Sequence, residues 1–168
     1  MTLKTDKIFP KDGKQSGAYG GIVQVATASY STAAAYTSVA QNSGKDLGFT
    51  CAITPRSSSN VILINFEFQV WYQNSADVTF YGYPYLYRKI DSGAYSAIYN
   101  TTNASYVTGE KQSEMSWYVV NSYLDSPATT GTLTYKLTWY HQSPNSVSNL
   151  VIGRNSAPSR ITLMELSA

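Results

Sequence analysis

After residue 21, apolar and polar side chains alternate along this chain with the period of two that an extended strand imposes. The clearest run is VILINFEFQVWY at 61–72, where Ile62, Ile64, Phe66, Phe68, Val70 and Tyr72 share one face while Asn65, Glu67 and Gln69 share the other. That pattern predicts a long core strand with one buried and one wetter face. Further strands are predicted in GIVQVATA, AAYTSVA, LGFTCAIT, TFYGYPYLYR, AYSAIYN, EMSWYVVN, TLTYKLTWY, SNLVIG and SRITLMEL, separated by Gly, Pro, Asn and Ser turns. No segment carries an apolar repeat of 3.6 residues with caps. ATASYSTAAAY at 26–36 comes nearest, but its large side chains are too few for a helix stripe. Many short strands without crossover helices predict an all-β, antiparallel β-sandwich of jelly-roll-like form over residues 22–168.

The stretch YLDSPATTGTLTYKLTWY at 123–140 shows how such a strand is set up. Leu133, Tyr135, Leu137 and Trp139 alternate with Thr134, Lys136, Thr138 and Tyr140, which predicts a strand anchored by the first set. The preceding DSPATTG is expected to be a turn. In it Asp125 or Ser126 would bond local backbone N–H groups, Pro127 would fix φ, and Gly131 would let the chain swing into the strand.

Residues 1–21 break the pattern. Lys4, Lys7, Lys11 and Lys14 fall among four glycines, with Ile8, Phe9 and Pro10 as the apolar cluster. Such a segment cannot bury enough apolar area to offset its ordering entropy alone. It is expected to be an extended N-terminal arm, either unordered or held by a partner, with Lys4, Lys7, Ile8, Phe9, Pro10 and Lys11 as the candidate anchoring residues.

Composition narrows the function. The chain has 168 residues, enough for one domain. Only 13% of them are charged, so uncharged polar groups must cover most of the surface. Twelve basic residues against ten acidic give +2, and no basic run exceeds Arg88-Lys89, so nucleic acid is not an expected partner. Apolar stretches fall far short of the ~20 residues of a membrane helix, and the N-terminus lacks the apolar core of a signal peptide. The expectation is a soluble product of a reducing cytoplasm. The lone Cys51 shares a strand face with Phe49 and Ile53 and reads as a small buried hydrophobe. Metal-ligand spacing and cofactor fingerprints are missing, so no metal or cofactor is expected. Asn100 and Asn103 open glycosylation triplets of a kind common by chance in a Ser/Thr-rich chain.

Catalytic candidates are few. The single histidine, His141, follows the predicted Trp139 strand and reads as a solvated loop residue. Glycoside hydrolysis needs two carboxylates ~5–9.5 Å apart. Glu67 is the most suggestive acid, because it lies mid-strand opposite a hydrophobic face, with Asp77, Asp91, Glu110, Glu114 and Asp125 as further acids. The most unusual local feature is TFYGYPYLYR at 79–88. Here Tyr81, Tyr83, Tyr85 and Tyr87 project to one side, and Phe80, Gly82, Pro84 and Leu86 to the other. Pro84 cannot donate to a ladder, which predicts an edge or a break. The tyrosines could cover the domain's own core or rim, form a subunit interface, or contact a glycan.

Four motifs carry a family resemblance: ITPRSSSNVILINFEFQV, then YLYRKIDSG, then YLDSPATTGTLTYKLTW, and SRITLMEL near the C-terminus. Together, and in this order, they resemble the β-sandwich domains of phage tail fibres and other virion surface proteins. The leading MTLKTDKIFPKDG is similar to the first segments of such proteins in marine podovirus-like phages. The resemblance implies a non-enzymatic virion module, made in the host cytoplasm. Such modules are usually homotrimers, carried by an N-terminal segment held by other virion proteins. For this chain it points to a tail fibre or fibre tip that contributes to host attachment, with a host surface glycan as a further candidate partner. The alternatives are a capsid or tail decoration with purely structural contacts, and a glycan depolymerase using Glu67.

Overall fold

A computed structural model describes residues 21–40, 42–78, 80–100, 112–142 and 147–167. Ten strands build it: β1 (Ile22–Tyr30), β2 (Ala34–Val39), β3 (Ser43–Ile53), β4 (Val61–Val78), β5 (Gly82–Ile90), β6 (Ser96–Asn100), β7 (Gln112–Asp125), β8 (Leu133–His141), β9 (Val147–Ile152) and β10 (Ser159–Leu166). A single 3₁₀ turn at Arg154–Ser156 is the helical structure among the described residues.

Two antiparallel sheets form. One has the order β1-β10-β4-β9-β2, with β7 also on β4; the other runs β3-β8-β5-β6. Strand β10 pairs with residues 61–67 of β4 and β9 with residues 70–73, so the two follow one another along the same side of this long strand. β1 flanks β10 and β2 flanks β9 in the same way. β7 pairs with residues 62–73 and therefore takes the other side. The larger sheet is thus four strand positions wide, with two of those positions each split once. Eight strand positions, interleaved between two sheets in this order, make the double Greek key of a jelly roll.

The alternation read from the sequence is what closes the core. Ile62, Ile64, Phe66, Phe68, Val70 and Tyr72 of β4 are all buried, and they face Leu133, Tyr135, Leu137 and Trp139 of β8. Phe68 meets Trp139 edge-on, with ring centroids 6.1 Å apart. Cys51 is buried beside Phe49 and Ile53. Pro84 sits one residue beyond the last β5–β6 pair, Tyr85 with Asn100, where β5 is flanked by β8 alone among the described residues. An edge is where a proline costs no ladder bond.

Two expectations are corrected. His141 is the last residue of β8, fully buried, with its ring 5.0 Å from that of Phe80. The alternation of β8 carries one step further than the Trp139 anchor and turns His141 inward. Asp125 is the last residue of β7 rather than a turn residue, and its carboxylate points into the sandwich. Both oxygens accept from Arg88 Nη1 of β5 at 2.8 Å, and Oδ2 also accepts from the Tyr135 hydroxyl of β8 at 2.7 Å. Burial, reinforced by the hydrogen bond to Asp125 and its charge, pushes the Tyr135 phenol far up and keeps it a donor. Gly131 also has a task that the sequence does not show. A Cβ there would lie 2.7 Å from Asp91 Oδ2, so glycine leaves room for Asp91 to accept the Thr132 N–H at 2.8 Å.

A second buried carboxylate ties the opposite strand. Glu165 of β10 accepts from the Arg56 N–H (2.7 Å), Asn60 Nδ2 (2.6 Å) and Gln24 Nε2 (2.6 Å). Burial alone would raise its pKa. The bonds from Asn60, the Arg56 N–H, Gln24 and the Ser57 backbone outweigh that and hold it below the usual carboxylate value. A third tie is Tyr30 of β1, whose hydroxyl donates to the Thr50 carbonyl (2.5 Å) and accepts from the Thr50 N–H (2.7 Å) of β3 in the facing sheet.

Glu165 makes acid stability predictable. Its folded-state pKa lies below the unfolded one, so its stabilisation is fully present above the unfolded Glu value of about 4.3 and is lost as pH falls through the lower folded value. Glu165→Gln should lower stability at neutral pH by about 2 kcal/mol, because an amide presents a donor where only donors face it. It should also flatten the fall in the urea midpoint on acidification. Wild-type and variant midpoints that stay parallel through the acid range would contradict this assignment.

Candidate functional site

The outer face of the four-stranded sheet carries the predicted tyrosine row. Tyr83, Tyr85 and Tyr87 of β5 point away from the core, while Phe80, Gly82, Pro84 and Leu86 on the alternate positions are buried. Tyr81 lies one residue before β5, half-buried, its carbonyl accepting the Gln142 N–H at 2.9 Å. The row does not cover the domain's own core. It runs along the outside of the sheet as a series of mutually tilted rings, with centroids 5.5 Å apart from Tyr83 to Tyr85 and 6.0 Å from Tyr85 to Tyr87.

Register brings in partners that the local sequence does not show. Tyr83 pairs with Tyr140, Tyr85 with Thr138 and Tyr87 with Lys136 of β8. The Tyr140 ring closes the cluster at 5.2 Å from Tyr83 and 5.8 Å from Tyr85. At its lower end Lys136 Nζ lies 4.5 Å from the Tyr95 ring centre and 5.9 Å from that of Tyr87, and Lys89 Nζ lies 5.3 Å from that of Tyr95. Each cation sits where a ring face attracts it. Lys136 also donates to Asp46 Oδ2 of β3 at 2.7 Å. The alternation of TLTYKLTWY marked Tyr140 and Lys136 as outward-facing, but only the β5–β8 pairing reveals that they complete this surface.

The ladder stands on a close-packed floor. A Cβ on Gly82 would come within 2.4 Å of the Trp139 indole, so only glycine lets that ring lie flat beneath the start of β5. Tyr83 is the most enclosed ring, 9% exposed. Burial, then its hydrogen bond with Tyr85 and the charges of Tyr85 and Tyr140, pushes its pKa up to about 12. The face therefore offers ring edges, hydroxyls and two lysines on a rigid support. That suits stacking on, and hydrogen bonding to, a sugar ring or another protein.

Glu67 lies on the other outer face, in a shallow groove of about 500 Å³ that also takes in Asn65, Val120, Ser122, Arg160 and Thr162. Its carboxylate is 3.6 Å from Arg160 Nη1. The other described acid of this face, Glu114, pairs with Gln73, six positions further along β4. At ~3.3 Å per residue that is ~20 Å away, far outside the ~5–9.5 Å a glycosidase pair needs. Glu114 instead accepts from Trp71 Nε1 (2.6 Å) and Arg154 Nη1 (2.5 Å), and these bonds hold its pKa down. Asp125 is committed to Arg88 and Tyr135, and Asp91 to the Thr132 backbone. The side chains of Asp77 and Glu110, and the arm residues Lys4, Lys7, Ile8, Phe9, Pro10 and Lys11, lie outside the described residues. Among the described residues no three His, Cys, Asp or Glu side chains gather into a metal-binding group.

Fold and surface together define a jelly-roll domain with an aromatic outer face. No protein-family model matches the chain, and no curated protein matches it in sequence. Among solved structures it is similar to particles of infectious bursal disease virus. It matches the Gx strain structure at 14% identity and a TM-score of 0.46, covering 99% of this chain and 42% of that one. It matches the T13 viral particle at 12% and 0.45, covering 99% and 40%, and the VP2 subviral particle at 12% and 0.40, covering 99% and 43%. This chain spans about two-fifths of the length of those proteins.

Tyr83 gives the face a spectroscopic handle. In an alkaline ultraviolet titration, Tyr83→Phe should remove a phenol ionisation centred near pH 12. If the step lost is centred instead near the ordinary phenol value of about 10, Tyr83 is not enclosed by its neighbours.

Proposed function

We propose that this chain is a phage virion structural protein, a tail fibre or fibre-tip module that assembles as a homo-oligomer and contributes to host-surface attachment. The observation that carries this reading is the outward ladder of Tyr83, Tyr85, Tyr87 and Tyr140, held on the rigid outer face of a jelly roll. The order of the four sequence motifs supports it, since their resemblance is to virion surface domains that usually form trimers. Attachment works by avidity. Several weak aromatic faces on one particle gain ~10²–10⁴ in overall strength when they engage together, so a single copy needs no deep pocket. Residues 1–20 serve as the segment held by other virion proteins. The ligand class that fits the ladder is a host surface glycan, whose ring faces stack on tyrosine and whose hydroxyls meet the phenols and lysines.

A capsid or tail decoration is the second reading, favoured by the exposed apolar side chains of the opposite sheet face. A depolymerase is the third, and the Glu67–Arg160 pairing speaks against it. The test combines immunolabelling of particles, the mass of the purified chain, cell binding, and release of reducing ends from host polysaccharide. Particle labelling, an oligomer and cell binding that falls at least roughly tenfold in Tyr83→Ser/Tyr85→Ser are expected, without release of reducing ends. Labelled particles with no cell binding would favour the decoration. A monomer that releases reducing ends would overturn the proposal.

A further inference from the structure

The two outer faces of the sandwich are not alike. Six large apolar side chains stand exposed among the described residues, and five of them, Ile22, Val25, Tyr118, Val120 and Leu124, lie on the outer face of the larger sheet. Register sorts this face into rows. Ile22, Leu166 and Val61 align across β1, β10 and β4, and Val25, Met164, Leu63 and Leu124 align across β1, β10, β4 and β7. The next row, Thr27, Thr162, Asn65 and Ser122, is polar but uncharged. Beyond it come Ser29, Arg160, Glu67 and Val120, with Tyr118 and Gln69 following. The charges in these rows are Arg160 and Glu67, of opposite sign and adjacent. Glu165, in the same strand as Met164 and Leu166, is turned inward.

We infer that this face is the surface by which copies of the chain pack against one another, and that the occupant covering the apolar rows is a second copy. Size is the first argument. The rows from Val61 to Gln69 hold three residues in the first, four in each of the next three and two in the last, which at ~6.6 Å between rows and ~4.8 Å between strands is roughly 540 Å² in projection before side-chain relief is added. A standard stable interface takes ~800 Å² of accessible surface from each partner, so the face has the scale of a full interface rather than of a peptide groove. Charge is the second. The apolar rows can be covered without desolvating any ion, and Glu67 and Arg160 let one copy answer another with the opposite sign, as a self-complementary surface must. The edge of β7 is the third. Among the described residues β7 pairs with β4 alone, and residues 115–124 (MSWYVVNSYL) carry no charge, proline or glycine. Sheet edges left open to water are ordinarily blunted by such residues. This edge, continuous with the exposed Val120 and Leu124, is built to be covered.

The inference rests on the proposed homo-oligomer and assigns its interface. The test is sedimentation of the full chain across the micromolar range, for wild type, Val120→Asp/Leu124→Asp and Ile90→Asp. Both altered positions in the double variant are exposed, and Ile90 is the exposed apolar residue off this face. Wild type should be an oligomer, the double variant should dissociate with self-association weakened roughly 100-fold, and Ile90→Asp should keep the wild-type mass. Near-wild-type thermal melting of the double variant under dissociating conditions confirms that it still folds. A wild-type oligomer whose mass is unchanged in the double variant overturns this assignment alone. A wild-type monomer overturns the oligomer and this assignment together, and is the outcome expected if residues 1–20 or a different virion protein cover the face.

Discussion

A carboxylate sealed inside a β-sandwich is tolerable only if its partners are held in place, and Asp125 imposes that condition on three strands at once. Its negative charge is met by the Arg88 guanidinium, and one oxygen accepts a further hydrogen bond from the Tyr135 hydroxyl. Arg88 and Tyr135 belong to the smaller sheet and Asp125 to the larger, so the network fixes how far apart the sheets stand and where β7 ends. A slip of β7 by one residue would turn Asp125 out to solvent and leave Arg88 facing the core without a counter-charge. Glu165, across Ile62 of β4 from Asp125, is a second buried carboxylate, held by neutral donors. It joins β10 to the Arg56–Asn60 turn between β3 and β4 and to Gln24 of β1.

These two networks run through the four sequence motifs. Arg88, Asp125 and Tyr135 come from YLYRKIDSG, YLDSP and TLTYKLTW. Arg56, Asn60 and Glu165 come from ITPRSSSN and SRITLMEL. Four stretches scattered over more than a hundred positions are therefore two sets of mutual partners. The inward positions of these motifs hold the domain together, while their outward positions, such as Tyr85, Tyr87, Leu63, Leu124 and Met164, supply much of the tyrosine ladder and of the apolar face.

Period-two alternation made the strands and the inward-facing sets legible, because burial on one face of a pleated strand leaves a local trace. The all-β class, the buried Cys51 and the shared face of the tyrosines were readable for that reason, while the direction of that face was not. Asp125 was not, since Asp-Ser-Pro carries the chemistry of a turn whether or not its carboxylate has a distant partner. His141 looked like a loop residue because a polar ring at the end of a strand has no local signal of burial. Tyr140, Lys136 and Tyr95 were missed as parts of the site for another reason. Their meeting with β5 depends on pairing between strands far apart in the chain, which alternation does not encode. The apolar rows that cross β1, β10, β4 and β7 were hidden in the same way, each strand contributing one or two residues that are unremarkable alone.

Arg88 and Asp125 form the buried pair that locks the two sheets together. A double-mutant cycle with Arg88→Met and Asp125→Leu, followed by urea unfolding at neutral pH, measures that directly. Each single variant strands a buried charge or its partner and should be strongly destabilised, and the double variant should recover much of the loss, giving a coupling energy of about 2–3 kcal/mol. Effects that add to within about 0.5 kcal/mol would mean that the two residues act independently, and that the sandwich does not depend on this contact.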